Sequence, residues 1–289
     1  MISYDGGRNH AIREGEFSQR GLELPVNLFT FFSVPMKTIN QTALPDTGER
    51  MIPTADGELS YVFARHKFAY ECARGYAESR SVLDVGCGTG YGCKILSAVA
   101  QSVVGIDYHS DAIAFCRAHY SAPNVSFAQC DIPDIHFTGE FDLAVSFQVI
   151  EHLSDLHLFL GKLTTAVRPG GMILITTPNV RTPATGRDAN PFHTNEMNYT
   201  RFHDLLSEHF ASFELLGIGY ASPNRLRAIV QGSPLYRLGK LFGRKSPMKK
   251  IADATMGLTK FRVLKSAVAE SSIDLFAICR NDLQQKTKK

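Results

Sequence analysis

No stretch of about 18 consecutive apolar residues occurs in the 289-residue chain, and a helix needs about that many to cross a bilayer. The first residues, MISYDGGRNHAIREGEF, are polar and charged and lack the apolar centre of a secretory signal. No C-x-x-C pair joins the six cysteines, Cys72, Cys87, Cys93, Cys116, Cys130 and Cys279. Their scattered spacing fits neither a disulfide framework nor a zinc ribbon, and suits reduced thiols in the cytoplasm. No internal repeat or low-complexity tract is present apart from the tail QQKTKK, and the net charge is only +3. With no module of interleaved aromatic and basic residues, nucleic acid is not the expected partner.

What is present is enough apolar material, 44% of residues, to fill a core. From Ser81 onward, short β-branched runs alternate with helix-like stretches. SVLDVG, SVVGID, VSFAQCD, FDLAVSF and GMILITTP read as strands, with helices over 91–100, 110–120 and 155–167 between them. Such alternation predicts a parallel sheet covered on both faces. FELLGIGY (213–220) and SIDLFAIC (272–279) add two late strands, and a helix is expected over about 60–77. The charge is uneven. Residues 221–270 hold eleven Lys/Arg against Asp253 and Glu270, a net of +9, so the remainder carries −6. The expected organisation is therefore an N-terminal extension (1–60), an α/β core (61–220), a basic helical insert (221–271) and a last core strand with its tail (272–289).

The stretch SVLDVGCGTGYG (81–92) places a glycine turn between a strand and a helix, where backbone N–H groups can meet a ligand. It is not the dinucleotide fingerprint G-x-G-x-x-G, because the third glycine position falls on Tyr91 in one register and Cys93 in the other. What stands is D-x-G-x-G-x-G, with Asp84, Gly86, Gly88 and Gly90. Asp107 ends the second strand and Asp131 the third. A single strand-ending aspartate often only caps a loop or helix, but three in succession form a pattern.

This pattern resembles the class I S-adenosylmethionine-dependent methyltransferases. The resemblance implies a seven-stranded, doubly wound, Rossmann-like sheet. It also implies a cofactor set of Asp84, Gly86, Cys87, Gly88 and Gly90 for the methionine part, Asp107 and Tyr108 for the ribose, and Asp131 and Ile132 for the adenine. Phe147 and Gln148, at the fourth strand's end, would border the reacting methyl group.

The fourth strand runs into VIEHLSD, where Glu151 and His152 put a carboxylate beside an imidazole suited to proton transfer. His193, in NPFH, lies on a proline-rich loop that can fold back over that strand's end. Two histidines and one carboxylate can hold a divalent ion that polarises an oxygen. A similar pair and later histidine occur in the small-RNA 3′-end ribose methyltransferases, which carry a further glutamate where this chain has Gln148. Mg²⁺ or Mn²⁺ is the expected ion, although two nitrogens sit awkwardly with Mg²⁺. Other readings are that the Glu–His pair caps the next helix, that His193 is a loop residue, or that His152 is a base without metal. His10, His109, His119, His136, His157, His203 and His209 show no comparable grouping.

TGERMIP, YVFARHKFAY, FQVIEHL, GRDANPFHTNEMN and SIDLFAI together resemble sugar O-methyltransferases of methylmannose-type polysaccharide assembly. By that resemblance the acceptor is a sugar hydroxyl, and Arg50 and His66 lie near the cofactor's carboxylate or the acceptor. Tyr61 and Tyr199 either stack on a sugar ring or pack in the core. A phenolic or quinone-type acceptor is one alternative, and a non-catalytic cofactor-binding partner in a glycan assembly complex is another. The basic insert admits a lid over an anionic substrate, a homodimer face, a contact with the inner membrane surface, or a plain solvated surface.

Overall fold

The computed structural model describes residues 61–180, 192–221 and 261–282. The N-terminal extension with Arg50, and most of the basic insert, lie outside the described residues. Helix α1 (Tyr61–Ala77) buries Phe63, Tyr70 and Ala77 together with Ala69, Ala73 and Tyr76, the spacing of one apolar helix stripe. It leads into β1 (Ser81–Val85), α2 (Tyr91–Ser97), β2 (Ser102–Asp107), α3 (Ser110–Tyr120) and β3 (Val125–Gln129). Then come β4 (Phe141–Phe147), α4 (Leu156–Ala166), β5 (Val167–Pro178), α5 (Tyr199–His209) and β6 (Phe213–Tyr220). Strand β7 (Phe261–Leu264), α6 (Ser266–Ala269) and β8 (Asp274–Arg280) complete the described chain.

The strands form one sheet in the order β3-β2-β1-β4-β5-β8-β6-β7. Strands β1 to β5 pair in parallel, whereas β8 runs antiparallel between β5 and β6. This is the expected Rossmann-like α/β architecture with one difference. Among the described residues there are eight strands instead of seven, because the four-residue β7 adds an antiparallel edge to β6. Of the expected basic insert, the described part (261–271) holds this strand and the short α6. Residues 222–260 fall outside the description.

Strand order reverses between β1 and β4, and in such sheets ligands bind at the carboxyl ends of the strands where the reversal occurs. Both neighbours of that crevice are fully buried strands, VLDV in β1 and LAVSF in β4. The core beneath them gathers Leu83, Phe159, Leu160, Leu163, Ile173 and Phe202, all essentially inaccessible. Each such side chain contributes roughly 1.5–3 kcal/mol by leaving water. All six cysteines are free thiols. Among the described residues, no helix is long and apolar enough to cross a membrane.

Tyr70 of α1 ties this core to the glycine turn. Its ring packs edge-on against Tyr91 and Phe147, 5.5 and 4.8 Å between centroids. It also lies so close to Gly92 that a methyl group there would overlap it. Gly92→Ala should therefore destabilise the protein by about 1–3 kcal/mol, the usual cost of overpacking. Urea unfolding would measure this, and an unchanged midpoint would mean that the Tyr70 ring moves freely.

Candidate active site at the carboxyl ends of the strands

Beyond β1 the chain turns at three glycines, all with positive φ: Gly86 (77°), Gly88 (54°) and Gly90 (79°). The left-handed region is costly for any residue with a Cβ. The turn is pinned to the neighbouring strand because the Gly86 and Cys87 N–H groups donate to the Ile106 carbonyl at 2.8 and 2.9 Å. Side chains at Gly86 and Gly90 would strike Val149 and Cys116 respectively, whereas nothing lies within 4 Å of one built at Gly88. The turn is therefore packed on its protein side and open at Gly88, which suits the backbone approach of an elongated ligand.

The acidic residues of this half differ from one another. Asp84 is fully buried, and its carboxylate accepts bonds from the Tyr70 hydroxyl and the Cys93 thiol, each at 3.2 Å. Burial raises its pKa to about 7, against the lowering effect of those two bonds, and the Asp107 charge adds to the rise. It supports the turn from within. Asp107 accepts from the Gly88 N–H at 2.9 Å and the His109 N–H at 3.0 Å, which orients its carboxylate at the end of β2. Tyr108 beside it is 61% exposed and lies against the His109 ring. Asp131 caps the turn over Ile132–Asp134 through the Ile132 N–H and remains exposed at the end of β3. Ile132 packs against the core, and Phe147 is buried.

On the other side of β1, Gln148 follows β4 with φ 56°, and its N–H donates to the Thr176 carbonyl at 3.0 Å. Holding a non-glycine residue there costs on the order of 1 kcal/mol, and it turns the chain into the 3₁₀ segment Ile150–His152. The Glu151–His152 pair does not cap the next helix. Asp155 does, accepting from the Leu158 N–H at 2.9 Å. Instead, Glu151, His152 and His193 meet, with one ligand atom from each within 4.8 Å of the others. His193 reaches the pair because the Thr194 and Asn195 N–H groups both donate to the Glu151 carbonyl at 2.9 Å.

Both imidazoles are oriented from behind. His152 Nδ1 donates to the Phe192 carbonyl at 2.9 Å, and His193 Nδ1 faces the Glu196 carboxylate at 3.3 Å. Either partner can only accept from a neutral ring, so each ring's lone pair resides on Nε2. His152 Nε2 lies 4.0 Å from Glu151 Oε1. The other Glu151 oxygen accepts from the Thr177 hydroxyl at 3.1 Å. Burial raises the Glu151 pKa to about 8, and the nearby Asp274 adds to this against Thr177 and Arg65.

Sequence reasoning missed the network behind this cluster. Arg65 of α1 pairs with Asp274 at 3.0 Å and reaches the Gln148 amide oxygen at 3.4 Å, and Gln148 donates to Thr176. Burial raises the Asp274 pKa to about 6, partly offset by Arg65 and Gln148, and among the described residues its buried Oδ1 has no hydrogen-bond partner. His66, next to Arg65, is kept neutral, its pKa lowered to about 3 by burial and by the charges of Arg65 and His152. Asp274 had a sequence signal, as a lone acid opening an apolar strand. Arg65 had none. Tyr199 packs on the core and stacks with His203, 6.2 Å between centroids, while the Tyr61 side chain lies outside the description. His157 and His209, ungrouped in sequence, meet between α4 and α5 with nitrogens 2.8 Å apart.

With this geometry in place, comparisons with known proteins add three kinds of information. The family model described as "Methyltransferase domain" matches residues 77–214. A "Probable S-adenosylmethionine-dependent methyltransferase" of Mycolicibacterium smegmatis is 40% identical over 179 residues, covering 60% of this chain and 67% of that protein. A "Ubiquinone biosynthesis O-methyltransferase" of Mesorhizobium japonicum is 33% identical over 112 residues, covering 38% of this chain and 45% of that one. Among solved structures, an S-adenosylmethionine-dependent methyltransferase of Mesorhizobium loti superposes with a TM-score of 0.50 at 16% identity. That match spans 76% of this chain and 99% of the other, and it bears on the fold alone.

The buried carboxylate makes stability depend on pH. An unfolded glutamate titrates near about 4.3, so between roughly pH 4 and 8 the folded protein holds a proton at Glu151 that the unfolded chain has lost. The stability this confers is fully present below that window and is lost as pH rises through about 8. In EDTA-treated protein, Glu151→Gln should flatten the fall in unfolding free energy across this window by on the order of 1 kcal/mol per pH unit. Urea titrations at several pH values would measure it, and parallel slopes would mean that Glu151 ionises alike in both states.

Proposed function

The chain belongs to the S-adenosylmethionine-dependent methyltransferases, and within that family we propose an O-methyltransferase whose acceptor hydroxyl is activated by Glu151, His152 and His193. The observation that carries this reading is the convergence of the three ligand atoms within 4.8 Å at the end of β4. This is the strand end that borders the crevice at the glycine turn.

When bound, S-adenosylmethionine supplies an electrophilic methyl group on sulfur that a nucleophile attacks in line. In this reading the open backbone at Gly88, with Gly86, Cys87 and Gly90, holds its methionine part. Asp107 and Tyr108 hold the ribose, and Asp131 and Ile132 the adenine. Asp84 acts from beneath the turn, and Phe147 and Gln148 form the wall towards the acceptor. A divalent cation held by Glu151 and the two Nε2 atoms would polarise an acceptor oxygen. Two nitrogens and one oxygen suit Mn²⁺ better than Mg²⁺. Without a cation, the His152 Nε2 lone pair would instead be free to take the hydroxyl proton; the two roles of His152 exclude one another.

The relatives named for ubiquinone biosynthesis support a small phenolic or quinone-type acceptor. The sugar acceptor expected from sequence resemblance has no support in the comparisons. One feature favours it as a second reading, namely the polar wall of Arg65, His66, Gln148 and Asp274 beside the cluster. A sugar hydroxyl could donate to the buried Asp274 Oδ1, which has no hydrogen-bond partner among the described residues, and an apolar aromatic acceptor could not.

The test is release of S-adenosylhomocysteine from the full chain given catechol-type and sugar acceptors, with and without EDTA. The expected result is turnover with a hydroxyl acceptor that EDTA suppresses and Mn²⁺ restores. His152→Ala and His193→Ala should each lower turnover by roughly 10²-fold or more while leaving cofactor affinity nearly unchanged. No turnover with either acceptor class, or a large loss of cofactor binding in either variant, would overturn the assignment.

A further inference from the structure

Glu196 stands three residues after His193, and its Oε1 lies 3.3 Å from His193 Nδ1, with both side chains mostly shielded from solvent. Its segment is held on two sides. Thr194 and Asn195 bind the Glu151 carbonyl, and Arg201 of α5 donates to the Glu196 carbonyl at 3.0 Å and to Asn195 Oδ1 at 2.9 Å. Asn198 caps α5 directly afterwards, accepting from the Arg201 N–H. The Met197 carbonyl accepts from the Val180 N–H at 2.9 Å. The turn that carries Glu196 back to His193 is thus anchored to β5's exit, to α5 and to the Glu151 loop.

The two ring nitrogens of His193 lie on opposite sides of the imidazole. A carboxylate behind Nδ1 leaves Nε2 to the cluster and makes it a stronger donor. Glu196 is not a fourth member of the cluster, which comprises Glu151, His152 and His193; among the described residues it meets the cluster only through His193 Nδ1. His152 is held by a neutral carbonyl in the same position, so the two imidazoles are unequal and His193 has the carboxylate. We propose that Glu196 is the positioning residue of a divalent transition-metal site formed by Glu151, His152 and His193, holding His193 in its Nδ1–H form and strengthening its Nε2 as a ligand.

This inference rests on the metal-assisted reading above, and its test separates the two. Full-length protein is titrated with Mn²⁺ alone, without acceptor, and free Mn²⁺ is followed by electron paramagnetic resonance. Glu196→Gln keeps an acceptor oxygen but removes the charge, and Glu196→Leu removes both. The expected result is Mn²⁺ binding by the wild type that weakens in the order wild type, Gln, Leu, reaching a roughly ten- to hundredfold loss. The melting temperature of the EDTA-treated protein and its S-adenosylmethionine affinity should stay close to wild type. Glu196→Asp should recover part of the loss if its shorter side chain still reaches the ring. Equal Mn²⁺ affinity in wild type and Glu196→Leu would overturn the role of Glu196 and leave the metal site standing. A large drop in melting temperature with unchanged Mn²⁺ affinity would make Glu196 a structural residue only. Absence of Mn²⁺ binding by the wild type would overturn the metal reading and this proposal together.

Discussion

The Glu151 carbonyl oxygen accepts backbone hydrogen bonds from both Thr194 and Asn195, and this junction holds together two segments some forty residues apart. Thr194 and Asn195 add side-chain bonds to the neighbouring Leu153 carbonyl. One carbonyl with two lone pairs can be fully satisfied in this way, so the Glu151 carbonyl is buried without being left unpaired. Because the junction uses main chain, the side chains of Glu151, His152 and His193 remain available to face one another. Placement of the imidazoles then follows from the Phe192 carbonyl and the Glu196 carboxylate, both on the docked segment. Remove the junction and His193 loses its most direct tie to the Glu151–His152 pair.

Electrostatics run against this geometry. Asp84, Glu151 and Asp274 are buried carboxylates along one sheet edge, each raised in pKa first by desolvation. Arg65 is the cation that offsets both Glu151 and Asp274. A core assembled for stability alone would not gather acids in this way. Concentrating them at the mouth of a crevice is the arrangement expected where a ligand or ion supplies the missing compensation. His66 contributes by staying neutral next to Arg65 and His152, which spares the site a further positive charge.

The parts legible in sequence were those set by local pattern. The glycine turn, the strand-ending acids and the alternation of strands and helices depend on neighbours within a few residues, and the architecture followed from them. Helix α5 is not among the elements expected from sequence, because the proline-rich loop that carries His193 runs directly into it. Its signals were local but unread: the Asn198 cap and the Phe202, Leu205, Leu206 spacing. Strand β7 lies where a helical insert is expected, because four residues flanked by basic positions carry little period-two signal. The Arg65–Asp274 pair spans more than two hundred residues, and the His157–His209 pair joins two helices. No spacing rule reaches that far. Glu196 is the intermediate case, visible at i+3 from His193 yet without meaning until the backbone turn is known.

Topology explains how so distant a residue as Asp274 comes to the site. The carboxyl ends of β1 to β5 define one edge of the sheet, and a parallel eighth strand would have brought its own carboxyl end, near Arg280, to that edge. Because β8 is inserted antiparallel, its first residue arrives there instead, with Asp274 opposite Pro178 of β5 and Ile218 of β6. The reversal thus swaps an exposed cation for a buried acid beside Thr177 and Glu151. That acid recruits Arg65 from α1, and Arg65 draws Gln148 into the same network. Strand β1, which leads into the glycine turn, is separate from β8, which brings Asp274 to this wall. Helix α1 touches both, through Arg65 at Asp274 and through Tyr70 at Asp84 of the glycine turn, whereas β8 and the 192–198 segment belong to the cluster side alone.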